Sequence, residues 1–384
     1  MTVLAVIFWA ALAMIAWTQV GYALALACLA RIRRPAPPPA EPTPLPSLSL
    51  IVAAHDEEGV IAAKVRNALA LDYPRELLEL IVACDGCADA TAERAREAGA
   101  DLVLELPRGG KIRAQDAAVA SSRGELLAFS DANSLWEPPA ARALAGAFAE
   151  ERVGYACGQV RFIQGAGGRE GSNQEGVYWR YEMALRGWES RLSSITAGNG
   201  AIYATRRSAY IVVDPIMGHD LSLPFNMVKR GLRAVYVPEA RASEKMVPSL
   251  LGEFARKRRM MSHTWPILLR GGMLSPRGYT PGYAAMIISH RLLRYASPGL
   301  HLLALAANIA LLTLAGGSAE VLYAITLGLQ VALLAAALAA GRLHLRPLLL
   351  ARYYVLTTAS PAAGLWDWLR HGTTASWEAA EGTR

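Results

Sequence analysis

The sequence predicts an α/β domain built on a mostly parallel sheet with helices on both faces, carried by membrane-spanning helices at both ends of the chain. Three observations predict it. Short β-branched runs alternate with helical patterns between residues 47 and 237. Residues 1–30 hold no charged side chain and stop at Arg31, Arg33 and Arg34, and two further apolar stretches occupy residues 295–315 and 321–341. Alternating strand and helix leads to a parallel sheet covered on both sides. An uncharged run of the length of the first stretch is enough to cross the hydrocarbon core of a bilayer.

The first segment, 1–30, reads as a signal anchor rather than a cleaved leader. Its basic residues come after the apolar run instead of before it, and the run is too long for a leader. The positive-inside bias then places the chain beyond Arg34 in the cytoplasm, at the inner membrane. Residues 31–46 form a basic, proline-rich linker, with prolines at 35, 37, 38, 39, 42, 44 and 46, expected to act as a stiff spacer that holds the next domain off the membrane. That domain is expected over 47–270. Strands are predicted at 48–53, 80–83, 102–104 and 126–129, and helices near 57–70, at 88–98 and after Pro138. An interfacial segment is expected at 271–294 and a transmembrane hairpin at 295–341, with Arg342, His344 and Arg346 returning the chain to the basic side. The last segment, 342–384, reads as an interfacial or third C-terminal membrane segment with a tail. Tyr353, Tyr354, Trp366 and Trp368 suit the interface as well as a span.

Composition narrows the function. The chain has 384 residues, 53% hydrophobic and 18% charged, which excludes disorder. Its 4 cysteines are too few for a secreted disulfide scaffold. Formal charge is +7, a mild excess that an anionic lipid surface or a phosphorylated substrate would explain equally well. Nucleic acid is not expected, because no basic run is interleaved with stacking aromatics.

Ligands of open α/β sheets collect beyond the carboxyl ends of the strands. Polar residues stand there: His55, Asp56 and Glu57 after the first strand, Asp85 after the second, Asp131 after the fourth. Each alone can be a helix cap or a turn residue, and together they mark a site. Asp131 and Asn133 offer oxygen ligands to a hard divalent ion, Mg2+ or Mn2+. Lys111 follows Gly109 and Gly110 and can approach a phosphate. Arg256 and Arg259 share a helix face and can clamp a pyrophosphate, or adhere to anionic lipid as part of the block Arg256 to Arg259. Cys84 and Cys87 look like half of a zinc or redox site, but no second pair exists and inert thiols are expected.

Read in order, these strings resemble the membrane-embedded family 2 glycosyltransferases, the branch with cellulose, hyaluronan and poly-N-acetylglucosamine synthases and ceramide glucosyltransferase. The resemblance rests on "SLIVAAHDEEGVI", "LDYPRELLELIVACDGCADAT", "RGGKIRAQDAA", "LLAFSDANS", "AGNGAIYATRRS", "GHDLSLPFNMVKRGLRAVYVPEA" and "FARKRRM", which together span about 47–265. It implies a GT-A-like fold and inverting, metal-dependent transfer of a hexose or N-acetylhexosamine from a UDP-sugar. The acceptor it implies is a membrane-associated glycan, with lipid glycosylation of the ceramide glucosyltransferase type as the alternative. It also implies that Asp85 accepts from uracil N3–H, that Ala53 and Glu57 line the uridine pocket, that Asn199 lies in the acceptor loop and that Asp220 is the general base.

The departures from the family pattern are specific. His219-Asp220 stands where Glu-Asp is usual, and Arg256-x-x-Arg259-Met260 stands for Gln-x-x-Arg-Trp, so Trp265 or Trp179 is left to act as a sugar platform. Tyr178, Trp179, Tyr181 and Trp188 are read chiefly as a buried helix face. These departures motivate a rival of another class, a non-catalytic nucleotide-sugar sensor. A transporter is disfavoured, since only His301 ionises within the clearly apolar spans. With few membrane helices, polymer secretion would need a homo-oligomer or a secretion partner.

Overall fold

The computed structural model describes residues 1–33, 43–163, 172–245, 250–314, 316–343 and 345–375, with the backbone alone for 172–178 and 250. Residues 34–42, which hold most of the proline-rich run, and His344 lie outside the described residues, as does the end of the C-terminal tail. Eight strands form one sheet: β1 (Leu48–Ala54), β2 (Leu78–Asp85), β3 (Leu102–Leu106), β4 (Leu126–Asp131), β5 (Leu135–Trp136), β6 (Val153–Ile163), β7 (Tyr203–Arg206) and β8 (Arg233–Lys245). The helices in chain order are α1 (Thr2–Ala16), α2 (Tyr22–Ile32), α3 (Ile61–Leu69), α4 (Thr91–Glu97), α5 (Lys111–Ser121), α6 (Ala140–Ala147) and α7 (Ser172–Leu192). They continue with α8 (His219–Lys229), α9 (Leu250–Leu269), α10 (Pro281–Met286), α11 (Leu293–Leu314), α12 (Ser318–Ala339) and α13 (Arg346–His371).

Strand order is β3-β2-β1-β4-β7-β6-β8-β5. The parallel sheet expected from the sequence is the half built by β1 to β4. Beyond β4 the sheet is mixed: β7 runs antiparallel to β4 and β6, β8 runs parallel to β6, and β5 closes the edge antiparallel to β8. Central β1 is buried along its whole length, as a strand covered on both faces must be, and its run of Leu, Ile, Val and Ala supplies that burial. Helix α3 covers one face with Ile61, Lys64, Val65 and Ala68, an i, i+3, i+4, i+7 stripe. Parallel register pairs Ala53 with Asp131 and Ala54 with Cys84, so β1, β2 and β4 end on one edge, where a ligand crevice forms.

Three helices among the described residues are long and apolar enough to cross a membrane: Thr2–Ile32, Pro281–Leu314 and Ser318–Ala339. The second starts at Pro281, upstream of the apolar run, so part of the segment read as interfacial is continuous with a span. Each of the first two contains a π-helical turn, Trp17–Gly21 and Ile287–Leu292. The two turns meet: Trp17 Nε1 donates to Ser289 Oγ at 3.0 Å, and Thr18 Oγ1 to the Ser289 carbonyl at 3.1 Å. Such turns free backbone groups for side-chain partners, which suits a crossing point inside a bundle.

The N-terminal anchor is not a free tether. Tyr22 of α2 donates to Glu189 of α7 at 2.7 Å, and Arg191 of α7 donates to the Arg33 carbonyl at 2.8 Å. The anchor docks on the α/β domain, where the buried Glu189 carboxylate accepts from a donor that α2 provides; most of the linker expected to hold the domain off the membrane lies outside the described residues.

Helix α13 is not among the candidate spans and lies along α9. Arg258 Nε and Nη2 each bond Asp367 at 2.6 Å, Lys257 Nζ reaches the Tyr353 hydroxyl at 3.0 Å, and Trp265 Nε1 donates to the Pro361 carbonyl at 2.9 Å. The helices touch at Gly364, where an added Cβ would sit 2.5 Å from Met261 Cβ and 2.7 Å from the Arg258 carbonyl. Overpacking at such a contact costs about 1–3 kcal/mol. Gly364→Val is accordingly expected to lower the apparent Tm of the detergent-solubilised chain and to splay α9 from α13, read by thermal unfolding.

Candidate active site

At the carboxyl edge of the sheet a cleft of about 870 Å³ opens between the α/β domain and the helices α9, α11 and α13. Of the residues expected to form a site, Glu57, Lys111, Asp131, Asn133, Asn199, Asp220, Arg256 and Arg259 all line it. Ala53 and Asp85 do not. Ala53 is fully buried within β1. Asp85, 1% exposed, accepts from the backbone N–H groups of Gly109 at 2.6 Å and Gly110 at 3.0 Å, and faces Arg108 at 3.6 Å. Its carboxylate thus fixes the loop that delivers Lys111, the first residue of α5.

Lys111 is the cation at the centre of the cleft. Its ammonium contacts Asp131. Burial pulls the Lys111 pKa down, but the charges of Asp131, Asp220 and Glu244 outweigh it and leave the group above its ordinary value. A Cβ at position 200 would lie 3.2 Å from Lys111 Nζ, so glycine there lets the 198–200 loop reach the ion pair. The loop is held at three points. Asn199 Nδ2 donates to the Gly158 carbonyl at 2.7 Å, its Oδ1 accepts from Ile202 N at 2.9 Å, and Gly198 N donates to the Asp220 carbonyl at 2.7 Å. The Asn199 amide is consumed in shaping the loop.

Asp220 lies in the first turn of α8, where the helix dipole favours a carboxylate. Its neighbour His219 is 2% exposed and bonded through Nδ1 to the Tyr203 hydroxyl at 2.9 Å. Burial and the Lys111 charge push its pKa down to about 3, so the imidazole is neutral and braces the cleft wall.

Two charged residues that sequence reasoning missed stand beside Asp131. Glu244, at the end of β8, lines the cleft, and its Oε1 is buried with no hydrogen-bond partner. Burial and the Asp131 charge raise its pKa to about 7 against the pull of Lys111 and Arg256. Lys64 is fully buried on α3, donates to the Ser134 carbonyl at 2.6 Å, and has its pKa lowered to about 7 by burial. A lysine on the apolar stripe of α3 was a readable signal. Glu244 gave none, because its role depends on the β5–β8 pairing. Asp131, Asn133 and Glu244 line the same cleft and offer oxygen atoms of the kind a hard divalent cation takes.

The arginine segment is ordered inside the protein. Arg256 makes a two-pronged pair with Glu253 at 2.8 and 2.9 Å, Lys257 lies 3.4 Å from the same carboxylate, and Arg258 binds Asp367. Trp265 is buried against α13 and does not line the cleft, so it is no sugar platform. Trp179 does line it, with Nε1 anchored on the Val160 carbonyl at 2.6 Å; Tyr181 lines it too, while Trp188 packs into the core near α8 and α9. The Tyr178 side chain lies outside the described residues. His55, Asp56 and Cys87 bring ligand atoms within 4.8 Å of one another. His55 Nδ1 bonds the Asp85 carbonyl at 2.8 Å and Asp56 accepts from Ala88 N at 2.8 Å, so these residues fasten the β1 and β2 loops together. Cys84 and Cys87 are both free thiols.

These environments set two measurable outcomes. The folded pKa of His219 is depressed, so its contribution to stability is complete above the unfolded value of about 6.5 and drains as pH falls toward about 3. His219→Gln is expected to flatten the acid side of the Tm-against-pH curve between pH ~7 and ~4. Glu244→Gln is expected to raise the Mn2+ concentration needed for half-maximal nucleotide binding by roughly 10- to 100-fold, measured by calorimetry.

Comparison with known proteins agrees with this geometry. The sequence profile described as "Glycosyltransferase like family 2" matches residues 46–262. An N-acetylglucosaminyltransferase of Rhizobium meliloti is 27% identical over 238 residues, covering 57% of this chain and 55% of that protein. A beta-monoglucosyldiacylglycerol synthase of Trichormus variabilis is 36% identical over 97 residues, covering 23% of this chain and 21% of its own. The chain therefore spans about half the length, or less, of these curated relatives. Among solved structures, the mannosyltransferase PcManGT of Pyrobaculum calidifontis, in complex with GDP-Man and Mn2+, superposes with a TM-score of 0.71 at 22% identity, covering 95% of this chain and 99% of that one. That likeness concerns the GT-A-like fold. A cleft of converging acids and bases on such a sheet, together with a profile match over more than half of its residues, makes this chain a member of glycosyltransferase family 2.

Proposed function

We propose that the chain transfers a hexose or N-acetylhexosamine from a UDP-sugar to a hydroxyl group of a membrane-associated acceptor, with inversion at the anomeric carbon. The observation that carries this reading is the convergence of Lys111, Asp131, Asp220, Arg256 and Arg259 on one cleft that continues to the residues of α11 and α13. A transferase needs a hold on the diphosphate, charge to stabilise its departure, and a base for the acceptor. Lys111, Arg256 and Arg259 supply the cations.

Asp220 takes the acceptor proton as the acceptor oxygen bonds to the anomeric carbon. The bond from that carbon to the phosphate oxygen breaks on the opposite face, and UDP leaves with the electron pair. Asp131, Asn133 and Glu244 are the residues that would hold Mg2+ or Mn2+, whose charge neutralises the diphosphate. Relatives named N-acetylglucosaminyltransferase favour an N-acetylhexosamine donor and a glycan product, while the glucosyldiacylglycerol synthase relative favours a lipid acceptor. A cytoplasmic catalytic domain at the inner membrane is the orientation favoured by the basic residues flanking the spans.

The test uses the purified full chain in maltoside micelles with Mn2+ and UDP-GlcNAc, UDP-glucose or GDP-mannose, reading release of the nucleoside diphosphate. Turnover of a UDP-sugar is expected, and Asp220→Asn is expected to reduce it by roughly 100-fold or more with UDP affinity unchanged. A wild type that binds UDP and never releases it from a sugar would sink the reading in favour of a non-catalytic sensor.

A further inference from the structure

Helix α7 turns one face to the cleft and the membrane helices, carrying Glu182, Arg186 and Glu189 at helical spacing. Both acids are engaged. Glu189 holds Tyr22, Thr196 and His290, the last at 2.6 Å, and Glu182 pairs with Arg294 and lies 3.4 Å from His290. Arg186, between them, lines the cleft and is 6% exposed; its guanidinium meets the Cys157 thiol, while its Nε and Nη1 are buried with no hydrogen-bond partner. Its guanidinium lies 5.7 Å from the Trp179 ring centroid. A guanidinium cannot shed its charge by losing a proton, and leaving one desolvated without an anion is strongly unfavourable. An arginine so placed beside a cavity is built to receive an anion from that cavity.

The position says which substrate brings the anion. Gly198, whose N–H donates to the Asp220 carbonyl at 2.7 Å, packs against the Tyr155 hydroxyl, and Tyr155 and Cys157 of β6 feel the charges of both Arg186 and Asp220, which puts the arginine on the side of the base. The cleft that Arg186 lines is also lined by Tyr181, Arg294, Tyr295 and Tyr354, residues of α7, of the candidate span that includes α11, and of α13. The donor diphosphate has its own cations in Lys111, Arg256 and Arg259. We propose that Arg186 binds the phosphate of a lipid acceptor, so that the acceptor is a phosphate-bearing lipid with a free hydroxyl in its headgroup. The phosphate keeps all its bonds; it positions the neighbouring hydroxyl against Asp220. This inference rests on the transferase reading and narrows its acceptor.

The test titrates the full chain in maltoside micelles with short-chain phosphatidylglycerol, short-chain diacylglycerol and soluble glycerol 3-phosphate by calorimetry, with UDP as a separate titrant. Phosphatidylglycerol is expected to bind most tightly. Arg186→Gln is expected to weaken it roughly 10- to 100-fold, the loss of charge-assisted hydrogen bonds, with UDP affinity unchanged. Arg186→Lys, which keeps the charge and disturbs packing least, is expected to recover part of that loss. Unchanged UDP binding in both variants shows that they fold. Equal binding of diacylglycerol, equal binding of glycerol 3-phosphate, or a loss of UDP affinity in place of lipid affinity would each overturn the proposal. Because these are binding measurements, a chain that fails to turn over UDP-sugars fails the transferase reading and leaves the lipid result to stand or fall by itself.

Discussion

The site depends on one electrostatic arrangement, the placing of Lys111 among Asp131, Asp220 and Glu244. Three carboxylates facing one cleft repel each other, and in a partly buried setting that repulsion drives at least one of them to hold its proton. Burial and the Asp131 charge push the Glu244 carboxyl up to about 7, while Lys111, set among the acids, stays above its ordinary value. Everything that delivers Lys111 serves this arrangement. The buried Asp85 grips the glycine pair before it, and the loop carrying Gly200 closes over it.

The wall opposite the sheet is made by α9 and α13 together with α11 of a candidate span. The arginine segment of α9 is positioned by Glu253 from within and by Asp367 and Tyr353 from α13, so its guanidinium groups are aimed by packing rather than left on flexible stems. The block of four basic residues is thus largely spent inside the protein, and the reading of it as a lipid-adhesive patch applies least to Arg256, Lys257 and Arg258. The cleft has one end in the α/β domain and the other against α11, part of a helix long and apolar enough to cross a membrane.

Much of this is legible in the sequence. The first four strands are runs of apolar residues covered on both faces, and the polar residues at their ends are conspicuous for that reason. Asp131, Asp220, Lys111 and the two arginines can be named because each lies in a short ordered string. The illegible part depends on pairing between distant segments. The antiparallel return of β7 and the closing of β8 on β5 are set by tertiary packing, and Glu244 becomes a site residue only through that closure. Asp85 reads as a ligand contact, and the structure adds a second task that the string does not spell out, accepting from the backbone amides of Gly109 and Gly110. His219 and Trp265 go the same way: burial, which the local string does not encode, makes one a neutral brace and the other core.

The Glu189 hub has a consequence for biosynthesis. Its partners are Tyr22, made early, Thr196, made next to it, and His290, made 101 residues later. While the ribosome is still extending the chain, the acid can engage its first two partners, and its third does not yet exist. The hub is consequently completed only when the helix bearing His290 has been made and has packed against α7, so the burial of Glu189 waits on a segment far along the chain.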